Sequence, residues 1–137
     1  MNRIDFQRLS DSRLQESKAL LTAGFPEGAY YLAGYSVECA LKACIAKRTQ
    51  QHDFPEKGSH KFYSHDLEDL FGFADLRVEL ESALSKDPQM NANWTIVKDW
   101  SEESRYDSGR TTGDAQNLLA AIEDLTGGIL PWLQRRW

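Results

Sequence analysis

The sequence predicts an all-α protein, an antiparallel up-and-down bundle of four to five helices in which residues 1–137 form a single domain. Three observations favour this fold class. Apolar residues recur at helical spacing through much of the chain, and no segment alternates apolar and polar residues for long enough to predict a strand. Gly, Pro and capping residues separate the periodic segments. A length of 137 residues suits one core rather than two.

Two long helices are predicted in the first half of the chain, at residues 5–22 and 27–47. Gly24 and Pro26 break the chain between them, because neither residue favours a helix interior. The polar stretch 48–64 contains both Pro and Gly and is predicted to be a loop.

Shorter helices are predicted in the second half, in "HDLEDLFGFA", "LRVELESALSK" and "NWTIVKDW", followed by a loop, "SEESRYDSGRTTG". A last long helix begins near residue 115, and Gly127, Gly128 and Pro131 should interrupt or kink it. The predicted N-caps are Asp5, Ser64 and Asp114.

Composition and charge narrow the class of protein. The net charge of −5 argues against a general basic surface for nucleic acid, although a local one stays possible. No charged segment precedes an apolar run at the N-terminus, and Glu38 and Lys42 interrupt the longest apolar stretch, so we expect a cytoplasmic protein with no membrane span. Cys39 and Cys44 would lie about 8–9 Å apart on one helix, too far for a disulfide, and are expected to be buried thiols.

The second predicted helix, "GAYYLAGYSVECALKACIA", is apolar nearly all round. At about 100° per residue it separates into a large apolar stripe, a stripe of mostly small residues, and a third stripe that holds Tyr31, Tyr35, Glu38 and Lys42. A helix this apolar is central to a bundle or is covered by a second subunit, and the short chain favours a contribution from a symmetric partner.

The third stripe contains a predicted ion pair. Glu38 precedes Lys42 by four residues, which is the favourable order for a helical pair, and two tyrosines flank it. One interpretation is a partly buried pair that joins neighbouring helices. The other is the polar floor of a pocket for a ligand or partner, with Tyr35 beside the pair.

The chain resembles the HEPN (higher eukaryotes and prokaryotes nucleotide-binding) domain family in five segments that occur in the family's order. These are "LQESKALLTAG", "GAYYLAGYSVECALKACIA", "SHDLEDL", "NWTIVKDWSEESRYD" and "GGILPWLQRRW", and the last resembles one bacterial branch. The resemblance implies a helical bundle, usually a homodimer. It also implies association with a minimal nucleotidyltransferase or with a toxin–antitoxin or other defence system. Active members resemble metal-independent RNases whose signature is an Arg followed four to six residues later by a His.

This sequence departs from that signature. Arg105 is the natural counterpart of the Arg, but the His positions hold Arg110, Thr111 and Thr112. RNA cleavage by general acid–base catalysis needs a group that both takes and gives a proton near neutral pH, and Arg105 alone does not supply one.

Other histidines do not restore the signature. Arg48 and His52 make the spacing one residue short, at the end of a helix. His65 is expected to donate to a backbone carbonyl or simply to pack, and a zinc site of His60 and His65 lacks further ligands.

Arg105 and Tyr106 allow two interpretations. Arg105 either pairs with a carboxylate, from Glu102, Glu103 or Glu38, or it binds a phosphate of a nucleotide or RNA with Arg110 nearby. In the second case Tyr106 stacks on a base.

The sequence therefore predicts a non-catalytic, homodimeric binding module that requires no cofactor or metal. Its expected ligand-binding residues are Arg105, Tyr106, Glu38, Lys42, Tyr35 and Arg110. The alternative is an RNase with a non-standard site at Arg105 and a histidine brought in from elsewhere. A third hypothesis is a dimerisation module without a ligand, in which carboxylates satisfy both Arg105 and Lys42.

Overall fold

The computed structural model describes residues 1–52 and 64–137, except for the side chains of residues 50–52. Within these residues the chain is all-helical, with no strand, which confirms the predicted fold class. The helices are α1 (Arg3–Ala23), α2 (Pro26–His52), α3 (Leu67–Phe73), α4 (Arg77–Lys86), α5 (Pro88–Val97), a 3₁₀ helix (Glu102–Tyr106), α6 (Thr112–Glu123) and α7 (Ile129–Gln134). None of the helices in this part of the chain is long and apolar enough to cross a bilayer.

Helices α1 and α2 form an antiparallel hairpin, as the register of two serine contacts shows. Ser10 Oγ donates to the Ser36 carbonyl at 2.8 Å, and Ser17 Oγ donates to the Ala29 carbonyl at 2.6 Å. Both serines are fully buried, so small hydroxyls let the two helix backbones approach closely. Gly24 ends α1 in the left-handed conformation with φ of 90°. The predicted break between the first two helices is confirmed.

Helix α2 lies at the centre of the molecule. Every residue from 36 to 46 is buried, including the polar ones. Helices α1, α3, α6, α7 and the 3₁₀ helix all pack against it. One chain therefore encloses this helix without help, and the apolarity of α2 is no longer an argument for a symmetric partner.

The sequence-based boundaries need several corrections. Helix α2 continues past Lys47 to His52, and most of the predicted loop, residues 53–63, lies outside the described residues. The N-cap of α3 is Asp66, not Ser64, because Asp66 accepts a hydrogen bond from the Asp69 amide. Ser64 Oγ instead accepts from the Asp66 amide at 3.2 Å.

Two other predicted caps are displaced by one turn. Asn2 caps α1 and Thr111 caps α6, while Asp5 and Asp114 occupy the third helical position. Each carboxylate accepts a hydrogen bond from the cap residue's own amide, which forms a capping box. The sequence therefore predicted the correct first turn of each helix, but it assigned the N-cap to the third helical residue instead of the residue before the helix.

The predicted interruption of the last helix is confirmed. Helix α6 ends at Glu123, and a turn containing Gly127 and Gly128 leads to the separate helix α7. A Cβ on Gly128 would lie 2.4 Å from the Asp124 carbonyl oxygen, so this close approach requires glycine. Pro131 lies in the first turn of α7, where its missing N–H costs no hydrogen bond.

Candidate functional site

A buried ion pair forms the polar centre of α2. Lys42 Nζ donates to Glu38 Oε2 at 3.0 Å, as the four-residue spacing predicted. Glu38 is 0% exposed and Lys42 is 7% exposed. Since the pair is this enclosed, it is not the floor of an open pocket. Removal of either partner would leave a charge inside the bundle.

His65 extends the pair to the protein surface. Its Nδ1 lies 3.1 Å from both carboxylate oxygens of Glu38, and its Nε2 lies 3.2 Å from Oε2 of Glu102. The expected bond to a backbone carbonyl is therefore wrong, because two carboxylates occupy the ring nitrogens. The imidazole is partly exposed, so it connects the buried Glu38 to solvent.

Neighbouring packing fixes the 3₁₀ helix that carries Arg105. Trp100, just before this helix, lies directly on α2 at Gly34, where a Cβ would come within 2.2 Å of the indole. The Trp100 ring also stacks with Tyr31 at a centroid distance of 6.1 Å. Ser104 is buried within the helix. The residues on either side of Ser104 consequently sit on a fixed support.

Arg105 itself is exposed, and among residues 1–52 and 64–137 no carboxylate pairs with it. Its guanidinium carbon lies 4.8 Å from the centre of the Tyr106 ring. The Tyr106 hydroxyl, and to a lesser extent the Tyr31 hydroxyl, raise the pKa of Arg105 above its ordinary value, while desolvation opposes this. The carboxylate partners proposed from the sequence do not hold Arg105, since Glu38 and Glu102 contact His65 instead.

Tyr106 and Arg110 differ in their availability to a ligand. Tyr106 is 75% exposed, so much of its ring is accessible. Arg110 lies over the Tyr30 ring, with its guanidinium carbon 4.0 Å from the centroid, and its Nε donates to Asp107 at 3.2 Å. Burial is the largest cause of the raised pKa of Tyr30, which Arg110 partly offsets. Arg110 is thus committed to protein contacts, while Tyr106 remains largely exposed although Arg105 lies over its ring.

Tyr35 occupies the middle of the polar stripe. Its ring centre lies 5.8 Å from that of Tyr31. Partial burial is the largest cause of the raised pKa of its hydroxyl, and the neighbouring Cys39 and Glu38 raise this pKa further. Arg13 on α1 acts in the opposite direction on Tyr35. The sequence does not indicate this arginine, because the register between α1 and α2 is not evident from either helix alone.

The stripe therefore organises the site along α2. Tyr31, near Arg105, and Glu38, near His65, are separated by seven residues, or roughly 10 Å at the usual rise of a helix. The separation of 27 residues between Glu38 and His65 carries no periodicity that would predict their contact. The only sequence signal was the placement of His65 just before a helix.

Other surface features of the described chain do not involve these residues. A groove of about 370 Å³ between α3, α4 and α5 has Phe71 and Trp94 in its lining. A second groove, of about 530 Å³, lies between α5 and α6 beside Leu125. No group of three or more His, Cys, Asp or Glu side chains within the described ranges is arranged to hold a metal ion. Cys39 and Cys44 are free and buried, and burial raises the pKa of both thiols to about 12.

The helical fold and this site define a small α-helical domain of a known class. The family model of the HEPN domain matches residues 6–127, so the chain belongs to the HEPN family. Domains of this family are generally nucleotide-binding or RNase-like. No curated protein and no solved structure gives a significant match to the chain.

Proposed function

We propose that this protein is a non-catalytic HEPN binding module that binds a nucleotide or RNA phosphate at Arg105. The observation that carries the proposal is the state of this arginine. Arg105 is exposed on the 3₁₀ helix, its guanidinium lies over the Tyr106 ring, and no carboxylate of the described chain pairs with it. An arginine without an anionic partner keeps its capacity for a charge-assisted bond to phosphate.

The neighbouring side chains suit the rest of a nucleotide. Tyr106 offers an exposed ring for stacking on a base, and such stacking tolerates any sequence. Tyr35 and the Glu38–Lys42 pair belong to the same stripe of α2 as Tyr31, and Arg110 adds a positive charge after the 3₁₀ helix although it is paired with Asp107. This arrangement supports binding without base-specific recognition.

The test is ligand binding by wild-type protein and Arg105→Ala, with adenosine monophosphate and a short oligoadenylate as probes in calorimetry. We expect the substitution to weaken binding by about tenfold or more, since it removes one charged hydrogen-bond donor. Lys86→Ala is the matched control, because Lys86 is an exposed cation at the end of α4. Equal binding by Arg105→Ala and wild type would contradict the proposed site.

An RNase is the second candidate, and one contact favours it. His65 Nε2 lies 3.2 Å from Oε2 of Glu102, which is in the same 3₁₀ helix as Arg105, so a histidine from elsewhere in the chain lies beside this helix. Histidine is the usual general acid and base near neutral pH. Cleavage of the same RNA on a gel, abolished by both His65→Gln and Arg105→Ala, would favour this candidate over the binding module.

The proposal includes a homodimer and a minimal nucleotidyltransferase as partner, in a toxin–antitoxin or other defence system. Membership of the HEPN family supports this part, because the resemblance implies such assemblies. Co-expression with a minimal nucleotidyltransferase, followed by co-purification, tests the partner directly, and failure of the two to co-purify would contradict this part of the proposal.

A further inference from the structure

We propose that His65 is a pH-dependent latch that keeps Glu102 away from Arg105 and thereby regulates ligand binding at Arg105; the binding part of this inference rests on the proposed function. The latch joins three separate elements. Glu38 and Lys42 belong to α2, His65 precedes α3, and Glu102 begins the 3₁₀ helix.

Two carboxylates face the two ring nitrogens of His65, an arrangement that suits a charged ring. A neutral imidazole has one N–H and one bare nitrogen, whereas an imidazolium donates from both nitrogens. His65 faces the Glu38 carboxylate at 3.1 Å with Nδ1 and the Glu102 carboxylate at 3.2 Å with Nε2. A neutral ring would direct a lone pair at one of these anions. The Nδ1 contact has hydrogen-bond geometry, whereas the Nε2 contact has only the distance of an ion pair and is attractive only while the ring carries its second proton.

The two contacts differ in what happens when that proton leaves. Glu38 is completely buried, and a buried carboxylate that loses a donor pays a large desolvation penalty. The side chain of Glu102 is 37% exposed, so water replaces the lost donor there. Lys42 remains bound to Glu38 in either state. The neutral ring therefore keeps its single N–H on Glu38 and releases Glu102.

A released Glu102 has a nearby cation to bind. Side chains three residues apart in a 3₁₀ helix lie above one another, and Arg105 follows Glu102 by three residues. The freed carboxylate then competes with a phosphate for Arg105. Asp66, beside His65 in the sequence, does not take over the contact, because its side chain caps α3 through the Asp69 amide. Affinity for a phosphate ligand should consequently fall as the pH rises.

The experiment measures binding of an oligoadenylate without terminal phosphates between about pH 5 and pH 8, the range in which histidines change charge. Such a probe keeps its own charge constant over this range. For the wild type we expect a loss of affinity of about tenfold towards high pH, the equivalent of one charged hydrogen bond. Glu102→Gln should bind with nearly constant affinity, because an amide does not compete for Arg105. Glu103→Gln is the matched control for the loss of one exposed carboxylate in the same helix and should behave as the wild type.

Amide hydrogen exchange provides a readout that needs no ligand. The amides of Ser104 and Asp107 donate within the 3₁₀ segment, to the Ser101 and Ser104 carbonyls. Their protection, corrected for the intrinsic rate at each pH, should change over the same range in the wild type and in Glu103→Gln, but not in Glu102→Gln. A pH-dependence of RNA affinity that persists in Glu102→Gln would overturn the latch, since it would reflect only the charge of His65.

The remaining outcomes separate the latch from the proposed function. RNA binding that depends on Arg105 but not on pH, with constant amide protection, overturns the latch and leaves the proposed function intact. Suppose that amide protection changes with pH in the wild type but not in Glu102→Gln, and that neither protein binds RNA. This result overturns the proposed function and the binding half of this inference. It supports the structural half.

Discussion

At the scale of single residues, Glu38 is the side chain on which the polar centre depends. Its carboxylate is fully buried, yet it accepts from Lys42 and His65, which come from two different elements. Burial of a charge is tolerated only with such partners. The Glu38–His65 contact thus connects α2 to the segment before α3. The ion pair with Lys42 is sensitive to substitution because removal of either partner would leave a buried charge without a counterion.

Substitution of Glu38 by Gln should be strongly destabilising. Gln keeps the shape but removes the charge, so the buried ammonium of Lys42 loses its counterion at a cost of about 3 kcal/mol. Urea unfolding followed by circular dichroism measures the difference. Glu103→Gln, an exposed change, should alter the free energy of unfolding by no more than about 0.5 kcal/mol. Equal stabilities of the two variants would show that the ion pair is not structurally important.

At the scale of elements, α2 positions the site by close contact with the segment before the 3₁₀ helix. Trp100 packs on Gly34 and stacks on Tyr31, and the exposed Arg105 and Tyr106 follow within the next turns. Small residues on α2 are therefore needed for more than the hairpin with α1. They also let the Trp100 indole approach the helix backbone, which positions the segment that carries Arg105.

Gly34→Ala should disrupt this contact. The added methyl group would lie 2.2 Å from several atoms of the Trp100 ring, and overpacking of this kind costs about 1–3 kcal/mol. Gly113→Ala is the matched control, since its nearest neighbour lies at 3.7 Å and alanine favours a helix. Thermal unfolding should rank the first variant below the wild type and the second at or above it. The reverse order would mean that Trp100 adapts without cost.

Asp124, in the turn between α6 and α7, should make the free energy of unfolding depend on pH in the acid range. Hydrogen bonds, first from the Thr126 amide and then from Asn93, lower the pKa of Asp124 below its ordinary value. A carboxyl with a lowered pKa contributes stability above its unfolded-state pKa, and this contribution disappears as the pH falls through the folded-state value.

Asp124→Asn should therefore be less stable than the wild type at neutral pH. The difference should shrink as the pH falls below about 4, where aspartates become protonated. Melting temperatures across this range measure the difference, with Asp11→Asn on the exposed face of α1 as a control for charge. A difference that stays constant with pH would show that the carboxylate itself does not stabilise the turn.

At the scale of the whole molecule, one apolar cluster includes residues from α1 through α7. Because α2 is enclosed on most sides by its own chain, this main cluster of the described residues is built around one helix, and Phe6, Ala43 and Ala46 form a second, smaller cluster. We expect such an arrangement to unfold as one unit, since α1, α3, α6 and α7 cannot leave without exposing α2.

Unfolding should accordingly be a single transition. The fluorescence of the four tryptophans and the far-ultraviolet circular dichroism should give coincident melting curves. If the protein is the proposed homodimer, the melting temperature should also rise with protein concentration, because association stabilises the folded state. Two separate transitions would contradict a single domain, and a melting temperature independent of concentration would contradict the dimer.

The local sequence determined the elements well and the site only in part. Breakers at Gly24 and Pro26, the apolar periodicity of α2 and the spacing of Glu38 and Lys42 each act within a few residues, and the structure agrees with them. The N-caps were misplaced because two side chains in one turn each satisfy a backbone amide. The ligand-binding roles of Arg105, Tyr106 and Tyr35 stay predictions.

The sequence by itself determined the fold class, the family resemblance and the pair on α2, because these depend on short-range spacing and on the order of segments. Only the tertiary structure decided the partners of His65, the packing of Trp100 on Gly34 and the exposure of Arg105. These contacts join residues far apart in the chain, and their geometry depends on how the helices pack. The pair of Glu38 and Lys42 thus follows from their spacing in one helix, whereas the contacts of His65 with Glu38 and Glu102 depend on how the elements pack.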